Sequence, residues 1–194
     1  MFATFRQFTL AVISLGIAGS LAVEAAENYS VDPVHSSVTF MIPHLGISYV
    51  HGRFNDLTGN FILDKDAPTK SSFSLTIRVE SVDSNNKQRD THLRSPDFFN
   101  DKQFPLLTFQ STSVKPVEGG YEVTGDLTLH GVKKPVTFTL KGGKTADFPK
   151  GMQRTGFTTT LTLKRSDFGV GDPKFKDALG DEVHIAIGLE GVKQ

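Results

Sequence analysis

Ser72-Phe-Ser-Leu-Thr-Ile-Arg-Val79 places an apolar side chain at every second position: Phe73, Leu75, Ile77 and Val79 alternate with Ser72, Ser74, Thr76 and Arg78. Successive side chains of a strand point to opposite faces, so this period of two reads as a strand with one greasy face and one wet face. The same pattern runs outward in both directions. Val38, Phe40 and Ile42 alternate with Ser37, Thr39 and Met41. It returns in Tyr121, Val123, Gly125, Leu127 and Leu129, in Val136, Phe138 and Leu140, in Phe157, Thr159, Leu161 and Leu163, and in Val183, Ile185, Ile187 and Leu189. Two weaker segments join these six: His51 to Leu63, where Gly52 and Gly59 suggest bends or bulges, and Leu106 to Val114. Turn residues separate the runs at Asp66 to Thr69, Glu118 to Gly120 and His130 to Lys134, while Gly142 to Gly156 and Gly169 to Gly180 read as loops.

The expectation is an all-β chain of eight antiparallel strands, with one short helix between strands 3 and 4. That helix falls in Ser84 to Pro96, with Ser84 or Asn85 as cap, Pro96 as stop and an Asp90–Arg94 ion pair at helical spacing. Phe98, Phe99 and Phe104 crowd the connection after it, more apolar surface than an exposed loop carries, so something must cover those rings. Eight half-greasy strands can stack as a sandwich or close into a barrel whose interior is filled or holds one apolar ligand, and the alternation alone does not choose.

Composition narrows the function. With 21 Lys+Arg against 21 Asp+Glu the chain of 194 residues is formally neutral, which gives no field for nucleic acid or an anionic membrane surface. There is no Cys, hence no disulfide, thiolate nucleophile or Cys-ligated zinc. Sixteen Phe against three Tyr and no Trp point to dry burial rather than wet interfaces. Residues 1–25 read as a cleavable signal peptide: one cation at Arg6, an apolar run from Phe8 to Val23, and cleavage after Ala25. Residues 26–194 are then a periplasmic domain with no stable membrane insertion.

Chemistry is sparse. None of the six His stands at HxH or HExxH spacing, and no metal or cofactor is expected. Asp32, His35 and Ser36 have hydrolase chemistry, but as neighbours on one strand they would face opposite ways. No nucleophile elbow or phosphate-binding glycine loop is present, so no catalytic residue is assigned and the chain reads as a non-enzyme.

Tyr29-x-Val-Asp-Pro-x-His35-Ser36, His44-Leu-Gly-x-Ser48, Arg89-Asp-x-His-Leu-Arg-Ser95, Gly125-Asp-Leu-Thr-x-His-Gly131 and Arg165-Ser-Asp-Phe-Gly169 occur in that order. From about Tyr29 to Val192 the chain resembles the YceI-like periplasmic proteins. The resemblance implies a lipocalin-like barrel whose lumen holds a polyisoprenoid or similar long-chain lipid. On the inward faces Phe40, Ile42, Phe54, Phe73, Leu75, Ile77, Phe109, Leu127, Leu129, Phe138, Phe157, Leu161, Ile185 and Ile187 line the lumen or simply fill the core, while His44, Arg89, Asp90 and His92 read first as a salt-bridged helix pinned over the barrel end and second as a rim that meets a head group. No lumen position is charged, so a neutral isoprenoid or acyl chain is the expected partner. The leading expectation is lipid carriage. A cofactor-free hydrolase or isomerase acting on such lipids and a ligand-free interaction barrel are the alternatives, and the oligomeric state is open, a dimer included.

Overall fold

The first strand of the chain is broken, and so is its neighbour. In the computed structural model, which describes residues 26–194, β1 (Glu27–Val31) and β2 (Ser37–His44) run in one direction on either side of a turn. β3 (Ser48–Phe54) and β4 (Leu57–Leu63) run back, split by a bend at Asn55 and Asp56. β5 (Ser72–Arg78) is continued by the two-residue β6 (Val82–Asp83), and α1 (Lys87–Arg94) follows. The remaining strands are long: β7 (Leu106–Val117), β8 (Gly120–Leu129), β9 (Val132–Asp147), β10 (Gln153–Lys164) and β11 (Glu182–Lys193). Neighbours pair antiparallel in the order β1, β4, β5, β7, β8, β9, β10, β11, and β11 pairs back to β1 through Tyr29↔Lys193 and Val31↔Gly191.

That ring of eight is the expected barrel. β11 pairs with β1 in its last residues and with β2 through His184↔Met41 to Gly188↔Ser37, so β2 and β3 extend the first two staves upward beyond their bends. Closure leaves no free edge where the ladders are complete. One ladder is not complete: β9 and β10 pair from Gln153↔Asp147 to Thr158↔Lys141, with a bulge between Thr155 and Phe157, and no further up.

Several boundaries differ from the alternation reading. Residues 27–31 form a strand that the pattern missed because it is short. Gly142 to Gly156 is largely strand, leaving a turn of only five residues at 148–152, since Gly142 and Gly143 sit inside β9 as a distortion rather than a stop. The β8–β9 hairpin is tighter than expected: His130 (φ 52°) and Gly131 (φ 74°) alone make the turn, and two consecutive positive φ values are what a type I′ hairpin requires.

The helix cap also shifts. Asn86, not Ser84 or Asn85, accepts the Arg89 N–H, and the helix ends at Arg94 two residues before Pro96. Asp90 does not pair with Arg94. It is buried and accepts from Ser84 N–H (2.8 Å) and Ser84 Oγ (2.5 Å), because a buried carboxylate must find donors close by. Phe98, Phe99 and Phe104 are covered as expected. Phe98 stacks on Phe175 at 5.1 Å, Phe99 meets Phe54 edge-on at 5.6 Å, and Phe104 lies against His130 at 4.7 Å.

The lower end of the barrel, where β1 begins and β11 ends, is packed solid. Tyr29 stacks on Phe61 (5.1 Å), Phe61 on Phe73 (5.5 Å), and Phe157 meets both Phe61 (5.9 Å) and Phe73 (5.8 Å) edge-on. Phe61 and Phe73 are each 1% exposed, and the Phe61 ring lies over Gly191, where a β-carbon would stand 2.4 Å from Cζ. Offset and edge-on rings are the favoured aromatic arrangements, each pair adding about 0.5–1.5 kcal/mol beyond burial.

Candidate ligand-binding site

Above the aromatic floor the same inward faces leave space. The upper barrel encloses a cavity of about 500 Å³, within the range of roughly 300–1,000 Å³ typical of small-molecule sites. Its walls come from the alternation: Phe40 and Ile42 of β2, Leu75 and Ile77 of β5, Phe109 of β7, Leu127 and Leu129 of β8, Phe138 of β9, Leu161 of β10, Ile185 and Ile187 of β11, with Phe54 at the bend of β3. Twelve of the fourteen expected lumen positions thus meet around one space.

Phe73 and Phe157 do not. Both face inward, but they point into the packed floor, where neighbouring rings fill the section of barrel they would otherwise line. Alternation tells inside from outside; it does not tell height along the barrel.

Irregular segments border the upper part of the cavity. Leu93 of α1, Phe98 and Phe99 after it, and Phe168, Val170, Phe175, Ala178 and Leu179 from the stretch between β10 and β11 complete the lining. That last stretch has no hydrophobic period, so alternation does not mark those residues. Their signal was the surplus of unpaired Phe. Hydrogen bonds from Leu45 N–H to Ala178 O (2.8 Å) and from Gly180 N–H to Pro43 O (2.9 Å) hold the segment to the β2–β3 hairpin.

Of the four rim residues, His44, Arg89 and His92 line the cavity and Asp90 does not, being turned to Ser84. His92 Nε2 lies 3.0 Å from Asp97 Oδ2. Lys164 and Arg165, at the upper end of β10, join the lining and were not singled out from the sequence.

Asp32, His35 and Ser36 are not on a straight strand but in the turn between β1 and β2, and there two of them do meet. His35 Nδ1 is 2.8 Å from Asp32 Oδ2. Ser36 is not part of the pair: its Oγ donates to Glu190 O (3.2 Å) and accepts Glu190 N–H (2.9 Å), which staples the turn to β11. None of the three lines the cavity. Asp32, His35 and Glu190 bring three donor atoms within 4.8 Å of one another, yet the positive charge they meet is Arg154, whose Nη1 lies 2.5 Å from Asp32 and 2.8 Å from Glu190. Hydrogen bonds from His35 and then Arg154 hold the Asp32 carboxyl far below the usual range.

Sequence and structure comparisons agree with this architecture. Residues 29–191 match the model of the YceI-like domain. The chain belongs to the YceI-like family. A UPF0312 protein of Pseudomonas aeruginosa is 42% identical over 192 residues, covering 96% of this chain and 98% of its own. One from Pseudomonas putida is 42% identical over 190 residues, covering 96% and 97%. Among solved structures, BcnA of Burkholderia cenocepacia superposes with a TM-score of 0.75 at 28% identity, over 82% of this chain and 98% of that one. A polyisoprenoid binding domain from Saccharophagus degradans shares the YceI-like barrel at a TM-score of 0.65 and 17% identity, over 86% and 98%. No helix among the described residues is long and apolar enough to cross a membrane; residues 1–25, read as a signal peptide, lie outside the described residues.

Proposed function

We propose that this YceI-like protein is a periplasmic carrier that holds one long-chain isoprenoid or related lipid in the upper barrel. The observation that carries the reading is the apolar cavity of about 500 Å³ in the upper barrel, beside a solid aromatic floor. A core meant only to hold a barrel together would continue the floor's packing upward, since interiors close to native density and an empty apolar space forfeits contacts on every wall. Each buried methylene of a ligand contributes about 0.8 kcal/mol gross, from which association and ordering take back a large part.

The Saccharophagus domain, described as binding polyisoprenoid, supports a lipid of this kind through the shared fold. Carriage rather than turnover is favoured because the His35–Asp32 pair lies away from the cavity and its serine neighbour is committed to the Glu190 backbone. Export through the segment 1–25 fits a protein that meets lipids outside the cytoplasm. Native mass spectrometry of protein purified from the periplasmic fraction, followed by organic extraction, tests the reading. The expected result is a chain beginning at or near Ala26 with one lipid bound. Protein that carries no lipid and takes none up on titration would overturn it.

A further inference from the structure

Above the aromatic floor the barrel wall is split on one side. β9 and β10 are bonded to each other only as far up as Thr158↔Lys141, yet each continues as a full strand: β9 stays paired with β8 to Leu129↔Val132, and β10 with β11 to Lys164↔Glu182. Neither strand frays. They part while held by their other neighbours, over roughly 20 Å along residues 159–164 of β10. Both ends of this seam are tied. Below it lies the bonded ladder, and above it Lys134 Nζ meets Asp167 Oδ1 at 3.1 Å while His130 Nδ1 lies 3.3 Å from Phe168 O.

The sequence contributes to the split. The two-residue turn at His130 and Gly131 makes Leu129 and Val132 a hydrogen-bonded pair, and bonded and unbonded pairs alternate from there down the hairpin. Even-numbered residues of β9 therefore bond to β8, in step with the Gly142 N–H that donates to Gly119 O (2.9 Å), and odd-numbered ones turn their backbone towards β10. Pro135 is odd-numbered. It has no N–H to give, which is why proline stands on strand edges and not between two bonded neighbours. On the facing edge Thr160 and Thr162 follow the register of Thr158, so their backbone groups, with those of Thr137 and Thr139, are left without a ladder.

The split begins where the packing ends. Phe157, one residue below Thr158, belongs to the floor; Val136 and Phe138 of β9 and Leu161 and Leu163 of β10, above it, line the cavity. The wall is sewn shut beside the packed section and left unsewn beside the hollow one, although closing a barrel is what removes strand edges. Between the two, Thr159 turns inward, 6% exposed, with a hydroxyl that meets no partner among the described residues. Apolar side chains thus flank the seam on both strands.

We propose that the seam between β9 and β10 is the port of the cavity: the two strands spread, the apolar chain of the ligand passes sideways between them, and no ladder bond has to break because the edges carry none there. This rests on the lipid-binding reading and adds its route.

Continuing the register of Thr158↔Lys141 sets Thr139 opposite Thr160; both are exposed, and the chain has no cysteine of its own. A Thr139→Cys/Thr160→Cys double variant, bridged by a short, reducible bis-methanethiosulfonate linker, ties the edges together. Lys141→Cys/Thr158→Cys, bridged in the same way on the ladder below, is the control. Lipid-free protein is mixed with all-trans-retinol or with cis-parinaric acid, and stopped-flow fluorescence gives the rates of loading and release. The seam bridge should slow both rates by about tenfold or more and leave Kd within about twofold, because a gate acts on passage in both directions, and reducing the linker should restore them. The control bridge should change neither rate by more than about twofold. Rates left unchanged by the seam bridge, or slowed equally by the control, would overturn the port and leave the lipid carrier standing. Amide hydrogen exchange tests the seam without any variant: Thr137, Thr139, Thr160 and Thr162 should exchange about a hundredfold or more faster than Phe138 and Leu161, whose N–H groups bond to β8 and β11. Equal protection would mean that the edges are joined in solution and would overturn the port. Failure of both probes to bind the unaltered protein would overturn the port and the carrier together.

Discussion

Replacing Phe73 and Phe138 by alanine, one at a time, separates the solid part of the barrel from the hollow part. Both residues stand mid-strand on an inward face and look alike in the sequence. Phe73 is 1% exposed and wedged between Phe61 and Phe157, so its removal leaves a void that locked rings cannot fill. Phe→Ala at such a site costs about 3–5 kcal/mol. At about 2–4 °C per kcal/mol for a chain of this size, the melting temperature should fall by roughly 6–20 °C. Phe138 touches Phe109 at 5.2 Å and otherwise borders the cavity, so its ring gives up fewer contacts. The expected cost in lipid-free protein is about 1–2 kcal/mol. Lipid affinity should divide the other way: within about twofold of wild type for Phe73→Ala, and roughly three- to tenfold weaker for Phe138→Ala, or about 0.7–1.4 kcal/mol. Thermal unfolding with and without a saturating long-chain lipid reads both quantities, because ligand raises the midpoint only as far as it binds. Equal destabilisation by the two variants, or a larger affinity loss for Phe73→Ala, would refute the division of the barrel into floor and cavity.

Acid should loosen the barrel's closure through Glu27. Burial pushes this carboxyl up, but hydrogen bonds from Lys193 (2.6 Å), Tyr29 (2.8 Å) and Lys65 (3.1 Å) outweigh it and hold the pKa at about 2, below the ordinary 4.5. A lowered folded-state pKa means stability that is fully present above about pH 4.5 and lost as the pH falls towards 2, on the order of 3 kcal/mol. Urea midpoints measured from pH 6 down to pH 2 should fall more steeply for wild type than for Glu27→Gln; parallel curves would contradict the assignment. Glycine contacts offer a second comparison of floor and cavity. Gly191→Ala sets a β-carbon against the immobile Phe61 ring and should cost about 1–3 kcal/mol. At Gly52 the clashing atom is Phe40 Cζ at 2.3 Å, on a ring that can swing into the cavity, so Gly52→Ala should be milder in denaturation and should instead weaken lipid binding. A Gly52→Ala protein as unstable as Gly191→Ala would show the Phe40 ring to be locked.

Strand identity was legible because inward and outward residues alternate with a fixed period, and that information is local. It separated Phe40, Leu75, Leu127 and Ile187 from their polar neighbours without reference to the rest of the fold. What a ring meets once inside is not local. Phe157 and Phe138 carry the same pattern, and only the stagger of strands around the barrel puts one against three aromatic rings, Phe61, Phe73 and Tyr121, and the other beside the cavity. The His35–Asp32 contact was hidden for a related reason: the alternation was extended through a place where the chain turns, at Asp32 to Ser36, to pass from pairing with β4 to pairing with β3. Arg165 stood in plain view beside Lys164, but its burial depends on Gly180 and Val170 folding back over the barrel end.

The floor of Tyr29, Phe61, Phe73 and Phe157 also makes the lumen a well rather than a tunnel, and a well measures what is lowered into it. Affinity within a homologous series of tails should climb by about 0.8 kcal/mol for each added methylene until the tail fills the cavity. Past that length extra carbons must fold back or stand in water, and the climb stops. The packed floor blocks passage at the lower end, so a resident molecule cannot be pushed through from behind by the next. Exchange then proceeds at the pace of departure, whatever the concentration of the molecules waiting outside.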